Sequence, residues 1–348
     1  MTQEINPPVR KQATSYDVAR LAGVSQSAVS RVFKSGASAS AKMRKRVLAA
    51  ASEIGYRPNA IARGLITQRS NMVGVVISRM TNLYYPELLV QLTQAFSERG
   101  IRVLLFTLEH ESEISVVLEQ TLQYQVDGIV TAAMLTPAQL DVLSAAGIPV
   151  VLYNRQAEHG QAAAVRCDQE TGEAWLVAQL IAAGHKRFAI ISGPQDSTVS
   201  MERTGGALRH LSDLGITDVT VVAGDYSYDS GHQGLLEIHR RLRTLPDAII
   251  AANDAMAIGC IDAARQELGV EVPESLSVVG FDGIGASRYA AYRLTTVQQP
   301  VARMTNATVE MLLQRIAQPD FGHEQRVFQG APVRGHSARL SEANWRGE

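Results

Sequence analysis

From Asn71 to about residue 281, short continuous apolar runs alternate with stretches of helical periodicity, and this alternation constrains the fold more than any other feature. The runs fall at 72–77, 102–106, 128–130, 149–152, 188–191, 219–222, 248–251 and 277–281, with helices expected near 86–99 and 113–123. A strand apolar along its whole length is covered on both faces, which implies parallel sheets with helices on either side. About 270 residues is large for one such sheet, so two α/β lobes with a cleft between them are expected. Polar residues at strand ends would line that cleft, where open α/β sheets bind ligands.

The first 70 residues differ in kind. They hold 12 Lys/Arg against 3 Asp/Glu, whereas the remainder holds 21 against 31. A cationic head fits a phosphate-binding module, and an acidic body keeps the rest from binding DNA indiscriminately. Within the head, 14–35 reads as two short helices joined at Gly23, the outline of a helix-turn-helix. Ser15 is expected to cap the first, through Ala22, and Ser25 the second, to about Phe33. Val18, Leu21, Val24, Val29 and Val32 then share one face. Gln26, Ser27, Ser30 and Arg31 lie opposite, near the second helix's N-terminus, where such a helix meets base edges. A plain amphipathic helical pair is the alternative for this segment alone. A third helix, 41–54, is capped by Ser40 and ends at Gly55. It carries Lys42, Arg44, Lys45 and Arg46 in its first half, where cations oppose the helix dipole, and this suggests that they face phosphate. Residues 56–65, with Pro58 and Gly64, make a helix marginal in isolation.

With 46% hydrophobic and 19% charged residues, a sizeable core is expected. Cys167 and Cys260 have no partner spacing, so neither a disulfide nor a zinc site is expected. The start lacks the apolar stretch of a secretory signal and no run approaches a membrane span, which suggests a cytoplasmic protein with a disordered tail and no membrane partner. Gly280, Gly283 and Gly285 are not in the dinucleotide order, and no phosphate loop, catalytic triad or metal cluster stands out. Neither enzyme activity nor a cofactor is expected.

The segments Asp17-Val-Ala-Arg-Leu-Ala-Gly-Val-Ser25, Val29-Ser-Arg-Val32, Gly55-Tyr-Arg-Pro-Asn59, Ala62-Arg-Gly-Leu65, Ala252-Asn-Asp254, Gly280-Phe-Asp282 and Leu294-Thr-Thr-Val-Gln-Gln-Pro300 together resemble the lactose-repressor (LacI/GalR) family of transcription regulators, over essentially the whole chain. The resemblance implies an all-α helix-turn-helix DNA-binding head and a two-lobed α/β core like that of periplasmic binding proteins. It divides the chain into a tail at 1–12, the DNA-binding domain at 13–57, a hinge helix and linker at 58–70, and a core at 71–340. The N-terminal lobe takes about 71–165 and 297–328, the C-terminal lobe about 166–296 and 329–340. It further implies a repressor that binds double-stranded DNA at a pseudo-palindromic operator as a homodimer and is controlled by a sugar or sugar-acid effector. No heptad pattern for a tetramerising coiled coil follows residue 337.

Carried over position by position, Gln26 and Ser27 choose bases with Ser30 and Arg31 beside them, Tyr16 contacts phosphate, and Ser25 belongs to the same DNA-binding set. Asn59 and Arg63 are DNA-binding residues within the hinge, and Leu65 is the apolar wedge that opens a base step in the minor groove. Arg203 is expected to hold effector oxygens and Asp282 to accept hydroxyl hydrogen bonds, a guanidinium fork and a carboxylate being suited to paired hydroxyls. Asn253 adds a donor and an acceptor, Tyr226 a ring, and Ser78 and Tyr84 line the N-terminal lobe. Asn82-Leu-Tyr-Tyr-Pro86 and Asn154-Arg155 depart from the commoner family pattern, and Arg79 and Arg155 leave acidic sugars or sugar phosphates open. A sugar-binding transport protein is the alternative function; the cationic head argues against it.

Overall fold

The computed structural model describes residues 13–33, 38–57, 69–156 and 161–341. The chain forms two compact units, residues 1–70 and 71–348. The expected tail, and the hinge residues Asn59, Arg63 and Leu65, lie outside the described residues.

The head unit contains α1 (Ser15–Ala22), α2 (Gln26–Phe33) and α3 (Ala41–Glu53). Thr14, not Ser15, caps α1. Its Oγ1 accepts from the Asp17 amide at 3.3 Å while Asp17 Oδ2 accepts from the Thr14 amide at 3.0 Å, a reciprocal box that Ser15 cannot form because Asp17 lies only two residues on. Ser25 Oγ caps α2 through the Ala28 amide at 3.2 Å, and Ser40 caps α3. Gly23 takes φ +59 at the turn, a left-handed conformation that favours glycine. Val18, Ala19 and Ala22 pack on Val29, Val32, Val47, Ala50 and Ala51. Leu21, expected on this face, is 46% exposed, because the buried stripe of α1 runs through 18, 19 and 22 and leaves position 21 on its flank.

The larger unit holds two parallel sheets. In chain order its elements are β1 (Met72–Ser78), α4 (Tyr84–Ser97), β2 (Arg102–Leu108), α5 (Ile114–Gln123), β3 (Gly128–Thr131), α6 (Pro137–Ala145), β4 (Val150–Tyr153), β5 (Ala163–Asp168), α7 (Gln169–Ala182), β6 (Phe188–Ser192), α8 (Thr198–Asp213), β7 (Val219–Ala223), α9 (Tyr228–Leu242), β8 (Ala248–Ala251), α10 (Asp254–Gln266), β9 (Ser277–Val279), β10 (Thr296–Gln298), α11 (Val301–Ala317), β11 (Gln325–Gln329) and β12 (Ala331–Val333). One lobe carries the order β11-β5-β4-β3-β1-β2 and the other β7-β6-β8-β9. Side chains alternate across the first sheet as strand geometry requires. Val73, Val75 and Ile77 join α4 and α11, while Val76 and Ile129 join α5 and α6. In the second sheet Phe188 and Ile190 meet α7 and α8, while Ala189 and Ile191 meet α9 and α10. The apolar run expected to end at 281 leaves the sheet at Val279, after which Gly280–Asp282 turns along the β10 segment.

Both lobes start with a strand flanked by the second and third strands of its sheet, so each has a switch point at its first strand, where the crevice outside the carboxyl ends takes ligands. The chain passes between lobes after β5, after β10 and between β11 and β12. Gly330 lies where these passages touch: a Cβ there would sit 2.5 Å from Val297 Cγ1. Among the described residues no helix is long and apolar enough to cross a membrane, and no group of three metal-ligating side chains occurs.

Candidate functional site

On the head, Ser27, Ser30 and Arg31 stand exposed on one side of α2, and Tyr16 on α1 is 73% exposed. Gln26 is half-buried and donates to Ser15 Oγ at 3.3 Å, and Ser25 and Ser27 share a 2.9 Å hydroxyl contact. The polar face therefore includes a preset Ser15–Gln26 pair joining the two helices. The four cations of α3 divide. Arg44 donates to the Val32 carbonyl at 3.2 Å, and Arg46 donates to the carbonyls of Ala22 and Gly23. These carbonyls end α2 and α1, where the helix dipole is negative, so the two arginines close the bundle instead of facing phosphate. Lys42 and Lys45 remain exposed.

In the core, the carboxyl ends of the strands converge. Arg203, on α8, and Asp282 are each 2% exposed and joined at 2.8 Å. Arg203 also donates from Nε to Gln169 Oε1 at 2.8 Å and from Nη1 to the Ala252 carbonyl at 2.6 Å, and it stacks 4.0 Å over the Phe281 ring. Burial works against the guanidinium's charge, but Asp282 outweighs it and holds the arginine above its ordinary value. For Asp282, burial pushes the carboxyl up while Arg203 and Gln299 favour its charged form. Gln299 Nε2 donates to Asp282 Oδ1 at 2.7 Å, and Asn154 Nδ2 donates to Gln299 Oε1 at 2.7 Å, carrying the chain of bonds into the N-terminal lobe. Asp282 Oδ2 is buried and accepts nothing.

Asn253 caps α10 through the Met256 amide, and its Nδ2 donates to the Tyr226 carbonyl at 3.0 Å and to Asn82 Oδ1, from the other lobe, at 3.4 Å. Tyr226 is buried, with its hydroxyl 3.1 Å from Ser197 Oγ. Asp254, beside Asn253, turns away and accepts from Thr296 Oγ1 at 2.5 Å and the Ile284 amide at 2.9 Å. Burial, then the Asp282 charge, push its carboxyl up to about 8.

From the N-terminal lobe, Ser78 donates to Glu111 Oε1 at 2.9 Å, and Arg155 reaches the same oxygen at 3.1 Å. Arg79 places Nη2 2.6 and 2.7 Å from the two oxygens of Asp196 across the cleft. Neither arginine is a free cation. Tyr84 bonds Tyr153 at 2.7 Å within the lobe's core; its neighbour Tyr85 faces Arg155 and Glu111 instead. Arg79, Asn154, Tyr226 and Asp282 all have positive φ, between 51° and 121°. Each costs on the order of 1–3 kcal/mol, and such strain collects at ligand sites.

Asn82, Tyr85, Glu111, Gln169, Ser197 and Gln299 were not among the expected site residues. Gln299 lies in the 294–300 motif and Asn82 in the unusual loop, so both carried a signal; Glu111, in the turn after β2, and Gln169, the first residue of α7, have no local mark.

Residues 14–59 match the bacterial regulatory proteins of the lacI family, and residues 177–338 match a periplasmic binding protein-like domain. The HTH-type transcriptional regulator AscG of Escherichia coli (strain K12) is 33% identical over 334 residues, 93% of this chain and 98% of that protein. The ribose operon repressor of the same organism is 32% identical over 327 residues, covering 92% and 98%. Among solved structures, the lac repressor dimer bound to operator and the anti-inducer ONPF aligns with a TM-score of 0.84 at 26% identity, over 95% of this chain and all of that one. A complex of the transcriptional regulator CelR with cellobiose aligns with a TM-score of 0.70 at 29% identity, over 94% and 100%.

Proposed function

The chain belongs to the lacI family of bacterial regulatory proteins and is a DNA-binding transcriptional regulator; on that premise we propose that it is a homodimeric repressor whose operator affinity is set by a neutral sugar held in the cleft. The unpartnered, buried Asp282 Oδ2 carries this reading. It is an acceptor that folding leaves unsatisfied, at a cost of about 1–3 kcal/mol, and a ligand hydroxyl supplies its missing donor. Arg203 and Asn253 add donors, and Tyr85 and Tyr226 bring one ring from each lobe, an arrangement suited to the flat face and polar rim of a pyranose or furanose.

Sugar acids and sugar phosphates fit less well. Arg203, Arg155 and Arg79 each already hold a carboxylate, at 2.8, 3.1 and 2.6 Å, so the cleft has no unneutralised cation among these three for an added anion. On the DNA side, Ser27, Ser30 and Arg31 are the proposed base-reading residues with Gln26, and Tyr16, Lys42 and Lys45 the phosphate contacts. Asn59, Arg63 and Leu65 keep their proposed hinge roles from the sequence alone. Effector and operator affinities are then linked reciprocally.

A thermal-shift panel tests the ligand class: D-ribose and cellobiose against D-gluconate and ribose 5-phosphate, on wild type and Asp282→Asn. Stabilisation by a neutral sugar that Asp282→Asn abolishes is expected. Stabilisation only by the charged pair of compounds sinks the neutral-sugar reading.

A further inference from the structure

One buried ionisable group has no part in the machinery described so far. Glu173, on α7, is 1% exposed, and its Oε2 has no hydrogen-bond partner. It lies beside α8 where Gly206 leaves room, 3.6 Å from where a Cβ on that glycine would be. The charge that acts on it is that of Arg203, which donates from Nε to Gln169 Oε1, one helical turn before Glu173 on α7. The arginine is thus bonded to one buried carboxyl group, Asp282, and coupled through charge to a second, Glu173, to which it is not bonded.

We propose that Glu173 is a positioning residue for the effector site, a proton-controlled competitor of Asp282 for the Arg203 guanidinium. Protonated, Glu173 is neutral and leaves Arg203 to Asp282, Gln169 and the Ala252 carbonyl. Ionised, it draws Arg203 toward α7 and loosens the Asp282 contact, so the acceptor and donor pair that grips a sugar loses its geometry. Effector affinity then falls as pH rises.

Among the described residues, the surroundings supply no other cation to quench Glu173. From α8, Glu202 is held by Arg166 and Arg209 by Glu170, and His210 lies two turns beyond Arg203. From β5 comes the Cys167 thiol, itself pushed up by burial. Asp282 lies beyond Arg203, β10 and β12 bring no titratable side chain, and Arg326 of β11 is occupied by Glu324 and Glu310. Burial pushes the Glu173 carboxyl up to about 8, with Arg203 pulling the other way, which puts the change within the range of bacterial cytoplasmic and alkaline stress pH.

The proposal rests on the cleft reading above, so its test has a ligand-free arm. In full-length protein labelled with 15N-arginine, the Arg203 Nε–H resonance is followed from about pH 6 to 9.5, in wild type and in the isosteric Glu173→Gln variant. A pH-dependent shift in wild type that is absent from the variant supports the proposal; an Arg203 signal that is static in both, or moves equally in both, overturns it. Infrared difference spectra over the same range report the carboxyl directly, through loss of a protonated-acid carbonyl band that the variant lacks. Should Glu173→Gln not fold, Glu173→Met serves as the neutral control. With D-ribose and cellobiose as probes, affinity is expected to fall by up to about tenfold per pH unit above the transition in wild type and to stay flat in the variant. Binding by neither sugar counts against the cleft reading alone, since the Arg203 signal needs no ligand.

Discussion

Replacing Arg203 by Met puts the cleft's electrostatics to a quantitative test. The guanidinium makes three hydrogen bonds of 2.6–2.8 Å, and the side chains of Arg203 and Asp282 are each 2% exposed. Removal leaves Asp282 buried with the Gln299 amide as its side-chain donor among the described residues, and an uncompensated buried charge costs about 3–5 kcal/mol. At about 2–4 °C per kcal/mol for a core of this size, Tm falls by roughly 6–20 °C. Asp282→Asn keeps the volume and strands the opposite charge, with a loss of similar size. The double variant Arg203→Met/Asp282→Leu removes both charges and is expected to regain at least half of either loss, because a buried pair is often replaceable by apolar groups of like volume. Urea unfolding followed by circular dichroism, at one fixed protein concentration because an oligomer's stability depends on it, gives all four corners of the cycle. A coupling of at least about 2 kcal/mol is expected, and the restored double variant is expected to bind no sugar. Single variants within about 1 kcal/mol of wild type, or strictly additive losses, refute a desolvated pair.

Two further perturbations probe other parts of the molecule. Glu173 binds its proton more tightly folded than unfolded, so its contribution to stability is fully present below its ordinary value of 4.5 and is lost as pH rises through about 8. The loss runs at about 1.4 kcal/mol per unit over that window, and wild type should lose stability relative to Glu173→Gln between pH 5 and 8 in urea titrations; Asp254, shifted the same way, is common to both proteins and cancels. On the head, Arg46→Met is expected to cost about 1–2 kcal/mol, read by hydrogen exchange in α1, because two helix-end carbonyls lose their donor, whereas Lys45→Met leaves exchange unchanged and weakens DNA binding at low salt.

The reasons the sequence was partly transparent are particular. Strands β6 and β8 announce themselves because both faces are buried, making every residue apolar but Ser192 at the end of β6. β11 does not, since an edge strand with alternating exposure spells Gln-Arg-Val-Phe-Gln. Tyr84 and Tyr85 are adjacent on a helix and so point about 100° apart; which one faces the cleft depends on how α4 docks, which no local pattern encodes. Arg44 and Arg46 look like phosphate ligands by charge alone, and only the folded bundle brings the carbonyls of α1 and α2 beneath them. Arg203 and Asp282 were readable through their motifs, yet their surroundings come from two other passages of the chain, Gln169 and Glu173 on α7 and Gln299 after β10. The positive φ of Tyr226 and Asp282 is likewise a product of tertiary packing, at residues whose type gives no hint of it.

Selection of operator sequences by the exposed face of α2 is tested most directly by recovering bound fragments from bacterial genomic DNA. Wild-type protein and a Ser27→Ala/Arg31→Ala variant are compared at a fixed salt of about 150 mM, because phosphate contacts dominate affinity at low salt. Wild type is expected to enrich discrete pseudo-palindromic sites, and the variant to lose or relax the bases that flank their centre. Enrichment no greater than that of bulk DNA, or identical sites for both proteins, contradicts the account.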